Sequence, residues 1–437
     1  MQFGLFGSAA ARRGGPEFDS SEGFRDFIDY NIEAEALGFH STFVVEHHFT
    51  GYGQVSATIN LLTWLGARTR WLRLGTAVMV LPWHNPVLLA EQAATLDLLS
   101  GGRLDFGIGK GYRYNEFAGF CVPMEEADAR FDEALAVILK AWTADEPFSH
   151  RGKYWQFANI VVEPPPAQKP CPPIWMGAGS ENSIRRVAAQ GFNLLLGQYA
   201  SPMDVARNIA VYKSEVEARG RRFDPMQIGV TRAFFVADNA AEREAAMERR
   251  LHNRMRQLKL ATRPDGTVHG GPDRATGDPR AVNETSAMYG TPDEIAEKLD
   301  ELCRAGVGYV LINGGGSGGG ARGRASLRRF ARGHAGLRGA MKAGHRSRSM
   351  GLPRSREFRG ASAFSKRGVA VNLQTRDAQA RDAVLIERGL PRSKLLDREP
   401  VARASLPPIQ HPRADSDDDR GLAPTRPSLR LGWRQAR

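Results

Sequence analysis

The chain has 437 residues with 60 Lys and Arg against 48 Asp and Glu, and a net charge of +12 would suggest nucleic acid or an anionic membrane as a partner. The charge is unevenly placed, because residues 321–437 hold 24 Arg and 3 Lys against 10 acidic residues. The net charge of that segment is +17, so the residues before it have a net charge of 12 − 17 = −5. Neither a nucleic-acid partner nor a membrane partner is therefore expected for the body of the protein.

The cysteines are few and far apart, which argues against a disulfide framework and against a metal-ligand cluster. There are three of them, Cys121, Cys171 and Cys303. The N-terminal residues lack the order of a secretory signal, and no run of 18 uncharged apolar residues occurs. We expect a cytoplasmic protein without a bound metal.

Short apolar runs alternate with longer amphipathic stretches over the first three quarters of the chain, which is typical of parallel strands covered by helices. The predicted strands are Gln2 to Phe6, Ser41 to Val45, Leu72 to Leu81, Arg103 to Ile108, Pro173 to Met176, Asn193 to Leu196, Gln227 to Ala237 and Gly308 to Ile312. The predicted helices are Phe24 to Leu37, Val87 to Leu99, Phe131 to Trp142, Asn182 to Ala189 and Pro292 to Ala305. Eight strands predict an α/β fold, a (β/α)8 TIM barrel over residues 1–320.

One segment interrupts this alternation between the seventh strand and its helix. Thr262 to Ala281 is rich in Gly, Pro, Asp and Arg and poor in apolar residues. Such a composition predicts a long loop. At this place in a barrel enzyme it is either a lid over the site or a surface insertion without a role.

Beyond Gly320 the alternation ends. Ser326 to Gly333 resembles the start of a closing helix, but the residues that follow are rich in Arg, Gly, Pro and Ser and have no sustained periodicity. We therefore expect residues 321–437 to form a basic, Arg-rich extension of low order. Three interpretations remain open: a disordered tail without function, an arm that binds nucleic acid or membrane, or an out-of-frame extension after a truncated last helix.

A carboxylate and two imidazoles stand where the second predicted strand ends. In the sequence FVVEHHF they are Glu46, His47 and His48. The carboxyl ends of barrel strands form the active face, so these groups are expected at the site. One imidazole could act as acid or base near neutral pH, with Glu46 orienting it. Adjacent strand residues face opposite sides, so only one of the two histidines needs to act.

The third predicted strand ends in a third imidazole. His84 lies between Trp83 and Asn85, after a long uncharged run that reads as buried barrel wall. An aromatic ring and an imidazole at a strand end could contact a planar ligand. His84 is therefore the second catalytic candidate.

Two further strand ends could hold an anion. Lys110 lies between glycines after the fourth predicted strand and supplies a positive charge. After the fifth strand, Gly179 lets the backbone approach a ligand, and Ser180 and Ser183 begin a helix whose free N–H groups favour phosphate. Ser180 as an ordinary helix N-cap remains the alternative.

Five motifs in register resemble the luciferase-like flavin-dependent oxidoreductases. They are EHHF, GTAVMVLP, SGGRLDFGIGKG, PPIWMGAGS and GTPDEIAEKL, and the likeness spans about Met1 to Asn313. The resemblance implies a barrel that binds reduced FMN at the carboxyl ends of its strands and uses O2 to oxygenate a small organic substrate. It also implies a separate flavin reductase as partner and a homodimer.

The resemblance also assigns roles to particular residues. His47 takes the place of the catalytic histidine, and Ala77 and Val78 take the place of a non-proline cis peptide beneath the flavin ring. Lys110, Ser180 and Ser183 correspond to residues that meet the flavin phosphate. Gly109 stands where luciferase has a reactive cysteine, so neither an aldehyde substrate nor light emission is implied.

Two alternatives of the same fold stay open. One is an oxidoreductase that transfers hydride with a deazaflavin coenzyme and without oxygen. The other is a flavin-binding protein without turnover. The EHHF motif favours FMN over the deazaflavin.

Overall fold

The computed structural model describes residues 1–11, 13–268, 278–314 and 320–333, all within one compact unit. The strands are β1 Gln2–Gly7, β2 Ser41–Val44, β3 Arg73–Thr76, β4 Met79–Val80, β5 Leu104–Gly109, β6 Phe148–Arg151, β7 Gln156–Ile160, β8 Ile174–Gly177, β9 Asn193–Leu196, β10 Ile228–Val236, β11 Met288–Gly290 and β12 Tyr309–Asn313. The helices are α1 Glu22–Leu37, α2 Thr58–Arg68, α3 Pro86–Ser100, α4 Tyr114–Gly119, α5 Ala127–Thr143, α6 Glu181–Ala189, α7 Pro202–Ala218, α8 Ala240–Ala261, α9 Pro279–Ser286, α10 Pro292–Arg304 and α11 Gly320–Gly333.

Eight parallel strands close into a ring, in the order β1, β2, β3, β5, β8, β9, β10 and β12. Closure is made by β12, which pairs with β10 on one side and with β1 on the other. The short strands β4 and β11 extend this sheet beside β5 and β10. The expected (β/α)8 barrel is thus confirmed, and its ionisable strand-end residues meet at one face.

All eight predicted strands and all five predicted helices are present, most of them within a few residues of the expected ends. The prediction was wrong for the third strand, which was expected to run unbroken from Leu72 to Leu81. The ladder stops after Thr76 and resumes at Met79, and the intervening Ala77–Val78 peptide bond is cis. Helices α2, α7 and α8 and the β6–β7 hairpin were not predicted.

A helix is present where the sequence indicated the start of a closing helix, at Ser326 to Gly333. Helix α11 begins at Gly320 and packs through Phe330, whose ring lies 5.3 Å from Phe3 and 5.0 Å from Phe234. Ser326 Oγ accepts the backbone N–H of Val236 at 2.8 Å, which ties the helix to the end of β10. Helix α11 thus packs on the barrel, while the boundary expected at Gly320 stays a prediction. Residues 334–437 lie outside the described part of the chain.

The segment expected to be a long loop has local structure at both described ends. Thr262 and Val268 form an antiparallel bridge that closes a tight turn, and α9 begins at Pro279. Residues 269–277 lie outside the described residues. The lid hypothesis therefore stays a prediction.

Within the described residues, none of the helices combines the length and the apolar character that a membrane crossing requires.

Candidate active site

The carboxyl ends of β2, β4 and β5 bring together most of the predicted catalytic residues. Glu46, His47 and His48 follow β2, and His84 follows the turn after β4. Helix α4 begins five residues after the end of β5 and lies beside them, because Glu116 reaches back to His47 and His48. These residues form a cluster on the face that the barrel topology assigns to chemistry.

His47 is held by a carboxylate that the sequence analysis did not identify. Its Nδ1 lies 2.9 Å from Glu116 Oε1, and the same oxygen accepts the backbone N–H of His48 at 3.0 Å. Glu116 is 2% exposed, and its position as acceptor favours the proton on Nδ1 of His47. The other ring nitrogen, Nε2, has no hydrogen-bond partner among the described residues.

A buried cation stands next to this pair. Arg113 is 3% exposed, its Nη1 lies 3.9 Å from Glu116 Oε1, and its Nη2 donates to Gln257 Oε1 of α8. Burial lowers the pKa of His47, and the positive charge of Arg113 lowers it further, while Glu116 opposes both effects. His47 is therefore uncharged at neutral pH, the form in which Nε2 can accept a proton.

Glu46 was expected to orient either His47 or His48, and in the structure it bonds to His48 and to His84. Its Oε1 accepts His48 Nε2 at 2.8 Å and His84 Nε2 at 2.7 Å, and its Oε2 accepts the backbone N–H of Val80 at 2.8 Å. Burial alone would raise the pKa of this carboxyl, but the hydrogen bonds lower it to about 2. Glu46 is thus an ionised hub that ties the ends of β2 and β4 together.

Aromatic rings form a wall beside these imidazoles. Trp83 stacks on Phe120 with ring centroids 5.2 Å apart, and Phe117 meets Trp83 edge-on at 5.2 Å. His48 packs edge-on against Phe120 at 4.8 Å. Such a wall excludes water from one side of the site and presents a surface for an apolar or planar ligand.

The Ala77–Val78 peptide bond is cis, as the resemblance predicted. Two glycines lie next to it at positions where a side chain would clash with its neighbours. A Cβ on Gly109 would meet Val78 Cγ2 at 2.5 Å, and one on Gly107 would meet the carbonyl oxygen of Thr76 at 1.8 Å. Close packing against Val78 therefore requires glycine at position 109. Thr76 Oγ1 bridges the interrupted ladder by donating to Gly107 O at 2.7 Å.

The predicted phosphate ligands follow two neighbouring strands, since β5 pairs with β8. Lys110 forms an ion pair with Asp128 in this structure. Ser180 and Ser183 form a capping box at the start of α6, so the N-cap alternative is also realised. Around Gly177 and Gly179 the space is open, because an added Cβ would have no neighbour within 4 Å. This part of the site can admit a phosphate next to a helix N-terminus.

Comparison with known proteins decides the family. The model of the family described as luciferase-like monooxygenase matches residues 1–308. The chain belongs to this luciferase-like monooxygenase family. Among curated relatives, uncharacterised protein y4vJ of Sinorhizobium fredii is 30% identical over 59% of this chain and 75% of its own. The oxygenase component of flavin-dependent trigonelline monooxygenase of Acinetobacter baylyi is 28% identical over 56% and 68%.

Solved structures share the fold. Monooxygenase RslO1 from Streptomyces bottropensis has a TM-score of 0.65 and 26% identity, covering 77% of this chain and 99% of that one. An F420-dependent secondary alcohol dehydrogenase in complex with an F420-acetone adduct has a TM-score of 0.59 and 17% identity over 75% and 98%. The second likeness, at this identity, concerns the fold alone.

In this member of the luciferase-like monooxygenase family, the residues that sequence reasoning missed are Arg113 and Glu116. Both follow the Gly-rich end of β5, and Glu116 lies in the first turn of α4. The only sequence pattern that could have identified them is a pair of charged residues shortly after a glycine-rich strand end. Arg113 donates to Gln257 of α8, a helix that the sequence analysis did not predict. Among the described residues, no group of three or more His, Cys, Asp or Glu is arranged to hold a metal ion.

Proposed function

We propose that this protein is a monooxygenase that uses reduced FMN and O2 to insert one oxygen atom into a small organic substrate. The observation that carries the proposal is His47, with Nδ1 fixed by Glu116 at 2.9 Å and Nε2 without a partner among the described residues. An uncharged, oriented imidazole at the strand-end face is suited to accept one proton. The family match supports the reaction class.

The site has features that fit a flavin. Ala77 and Val78 are partly buried and pack against the aromatic cluster inside the barrel, so their outer side can support a planar ring. Gly177 and Gly179 leave open space before α6, where Gly179, Ser180 and Ser183 would hold the phosphate. Lys110 would add its charge by exchanging Asp128 for the phosphate. Reduced FMN, when bound, supplies the electrons that activate O2.

The chain's own residues then divide the remaining work. His47 would take a proton at Nε2 and return it there, while Glu116 holds the proton on Nδ1 and Arg113 balances the charge of Glu116. His84 was a catalytic candidate from the sequence, but its Nε2 is committed to Glu46. We assign it the positioning of Glu46 and of the turn after β4. Trp83 and Phe120 would keep water away from the reacting atoms.

The proposal also includes a partner protein, a cellular location and a homodimer. A separate flavin reductase is proposed because the trigonelline relative is described as an oxygenase component. A cytoplasmic location is proposed from the sequence.

A homodimer is proposed because helices α2 and α3, which pack together, expose large apolar side chains. Trp64 of α2 is 57% exposed, and Leu88 and Leu99 of α3 are 55% and 70% exposed. Leu88 and Leu99 share one face of α3. Burial of this face against a second copy would remove the apolar patch from water.

The second candidate is hydride transfer with a deazaflavin coenzyme, the alternative that the sequence motifs left open. A third is flavin binding without turnover. Anaerobic calorimetry with reduced FMN and with coenzyme F420, side by side, separates these candidates. Tighter binding of F420 would contradict the FMN proposal.

Turnover decides between an enzyme and a binding protein. The purified protein would be mixed with FMN, a flavin reductase, the NADH that reduces the flavin and isotopically labelled O2, and offered a panel of small organic compounds that includes trigonelline. Incorporation of one labelled oxygen atom supports the proposal. His47→Ala should abolish incorporation while retaining FMN binding, and His84→Ala should reduce it less. Full turnover in His47→Ala together with loss in His84→Ala would reverse the two assignments.

A further inference from the structure

Helix α8 contacts opposite sides of the barrel mouth, the opening at the carboxyl ends of the strands. The guanidinium of Arg256 lies 3.7 Å from the ring centroid of Tyr52, in the loop that follows β2. That of Arg254 lies 4.6 Å from the ring centroid of Tyr199, in the loop that follows β9. In the ring of eight strands β2 and β9 are four places apart, and so lie opposite each other. The second half of α8 therefore lies across the mouth.

A third contact places this half of α8 next to the proposed proton acceptor. Gln257 Oε1 accepts from Nη2 of Arg113, and Nη1 of Arg113 lies 3.9 Å from Glu116 Oε1. Glu116 is the carboxylate that holds His47. A ligand that reacts beside His47 is thus close to the side chains that α8 brings to the mouth.

The charges of α8 are divided along its length. The acidic residues lie in its first half and are paired with arginines of other helices, Glu242 with Arg329 and Glu244 and Glu248 with Arg280. Residues 249–261 include four Arg and one Lys but neither Asp nor Glu. The half of α8 that lies across the mouth therefore has no carboxylate of its own to balance its positive charge.

The buried side of this half carries cations where a barrel helix ordinarily carries apolar side chains. Arg254 is only 6% exposed, and Arg250, one turn earlier, also contacts Tyr199, at 5.3 Å. Arg250 Nε donates to Asn283 Oδ1 at 2.8 Å, and its Nη2 donates to Gln198 Oε1 at 3.1 Å. Both acceptors are neutral amides, so they leave the charge of Arg250 unbalanced. An anion in the mouth would balance it.

Arg256 has the donors that an anion can reach. Its guanidinium lies over Tyr52, and among the described residues it has neither a hydrogen-bond nor an ion-pair partner. Its nitrogens are not among the buried atoms that lack a partner, so they are open to solvent. The contact with Tyr52 restricts the motion of the group. A guanidinium held in this way can bind a carboxylate through two parallel N–H bonds.

The balance of charge at the mouth also favours an anion. The two carboxylates Glu46 and Glu116 are outnumbered by four arginines, which are Arg113, Arg250, Arg254 and Arg256. A ligand with one negative charge gains from this excess, and a cationic ligand is repelled.

The aromatic wall restricts the remainder of the ligand. Phe49 is 56% exposed and packs on Phe120 with ring centroids 4.9 Å apart, and Phe120 stacks on Trp83. Phe49 and Tyr52 belong to the same loop after β2, so this wall and the Arg256 guanidinium are neighbours. A flat apolar ring suits the wall, and one carboxylate suits the guanidinium.

We infer that the substrate is a small aromatic carboxylate, bound through its carboxylate by Arg256 and through its ring by the wall of Trp83 and Phe120. The inference rests on the proposed function, because it names the substrate class of the same site. Arg250 and Arg254 act through the field of their charges rather than by contact with the substrate.

Three probes with the same ring and different charge test the inference without turnover. They are benzoate, benzamide and benzamidinium. The full chain would be titrated with each by calorimetry, with and without saturating FMN. We expect benzoate to bind about tenfold more tightly than benzamide, because a charged hydrogen-bond pair replaces a neutral one, and we expect benzamidinium not to bind. Raising the NaCl concentration from about 0.05 M to about 0.5 M should weaken the binding of benzoate and leave that of benzamide unchanged.

Variants of one residue test the assigned contact. Arg256→Met should weaken the binding of benzoate about tenfold and leave that of benzamide unchanged. Arg256→Lys should restore part of the affinity, since it keeps the charge but loses the planar fork. Arg207→Met is the matched control, because the Arg207 side chain is 70% exposed on α7, and it should bind benzoate like the wild type. The three probes are compared on the wild type, so they give an answer even if Arg256→Met fails to fold.

The labelled-oxygen assay extends the test to turnover. A panel of substituted benzoates would be offered beside the corresponding benzamides. We expect label to enter carboxylates in preference to amides, and we expect Arg256→Met to raise KM for the carboxylate about tenfold with little change in kcat.

Three binding results would overturn the inference. They are equal affinity for benzamide and benzoate, unchanged benzoate affinity in Arg256→Met, and competition between benzoate and FMN, which would assign these arginines to the flavin phosphate. Oxygenation of neutral compounds alone would also overturn it and would leave the proposed monooxygenase function intact. Benzoate binding through Arg256 without oxygenation of any compound would instead contradict the proposed function and leave the carboxylate site standing.

Discussion

His47 Nδ1 lies 2.9 Å from Glu116 Oε1, although 69 positions separate the two residues in the chain. One residue follows β2 and the other lies in α4, and only closure of the barrel brings them together. Because Arg113 stands 3.9 Å from the same carboxylate, the charge of His47 depends on two neighbours of opposite sign. This arrangement makes the protonation of His47 the most direct property to measure.

Arg113→Met should raise the pKa of His47, because the variant removes a nearby positive charge that now lowers it. Glu116→Gln should lower the pKa, because a negative charge is lost. Both shifts can be read from an NMR titration of the His47 ring without substrate. Arg207→Met is the control and should leave the midpoint unchanged. An unchanged or lowered midpoint in Arg113→Met would refute the assigned role of Arg113.

The same pKa predicts how activity depends on pH. His47 has a pKa below its ordinary value of 6.5, so its uncharged form persists as the pH falls below 6.5. We expect the oxygenation rate to hold through that range in the wild type and to fall at a higher pH in Arg113→Met. A pH profile of kcat for the two proteins checks this. Coincident profiles would show that His47 does not carry the proton.

Glu46→Gln should lower the free energy of unfolding at pH 7 by about 2–4 kcal/mol, because a buried hub loses its charge and one acceptor. The pKa of Glu46 is lowered to about 2 in the folded protein, so its stabilisation is complete above the ordinary value of 4.5 and is lost as the pH falls towards 2. Urea unfolding at several pH values should show the difference between the proteins narrowing below pH 4.5. Glu125→Gln, at an exposed carboxylate, is the control and should change little.

Phe330→Ala should lower the free energy of unfolding by about 3–5 kcal/mol, because Phe330 is 1% exposed and packs against Phe3 and Phe234. Denaturant unfolding measures the loss. Phe18→Ala removes the same ring from a position that is 43% exposed and should cost well under half as much. Equal losses would mean that α11 does not complete the core.

Leu99→Glu should convert the proposed homodimer to a monomer, because it places a charge on the exposed apolar face of α3, near the C-terminal end of the helix. Sedimentation velocity at micromolar concentration gives the mass of each species. Met203→Glu introduces the same change at a residue that is 78% exposed on α7 and should leave the dimer intact. A monomeric wild type would contradict the proposal at once.

The sequence predicted the barrel because buried parallel strands are short, uninterrupted apolar runs, and these are visible without any structure. The hairpin of Phe148–Arg151 and Gln156–Ile160 was missed because its residues are largely exposed and mixed in polarity. Helix α8 was missed for a related reason, since its 22 residues are rich in Arg and Glu and only a few of them are buried.

The candidate site was predictable only in part. His47, His84 and Lys110 could be predicted as site residues, because they follow barrel strands and the carboxyl ends of such strands form the active face. The hydrogen-bond partners of these residues could not be predicted. Glu46 could have bonded to either neighbouring histidine, and no local sequence pattern links Glu116 to His47. Hydrogen bonds between distant segments are set by the packing of the whole barrel, which a local pattern does not contain.

The pairing of β1 with β12 has a consequence for how the chain folds. Gln2 pairs with Tyr309, so one edge of the first strand stays open until β12, the last strand in the described part of the chain, has formed. Contacts this far apart in sequence are slow to form. We expect the rate-limiting step of folding to be ring closure, with incomplete chains exposing the apolar surface around Phe3 and relying on chaperones until Phe330 covers it.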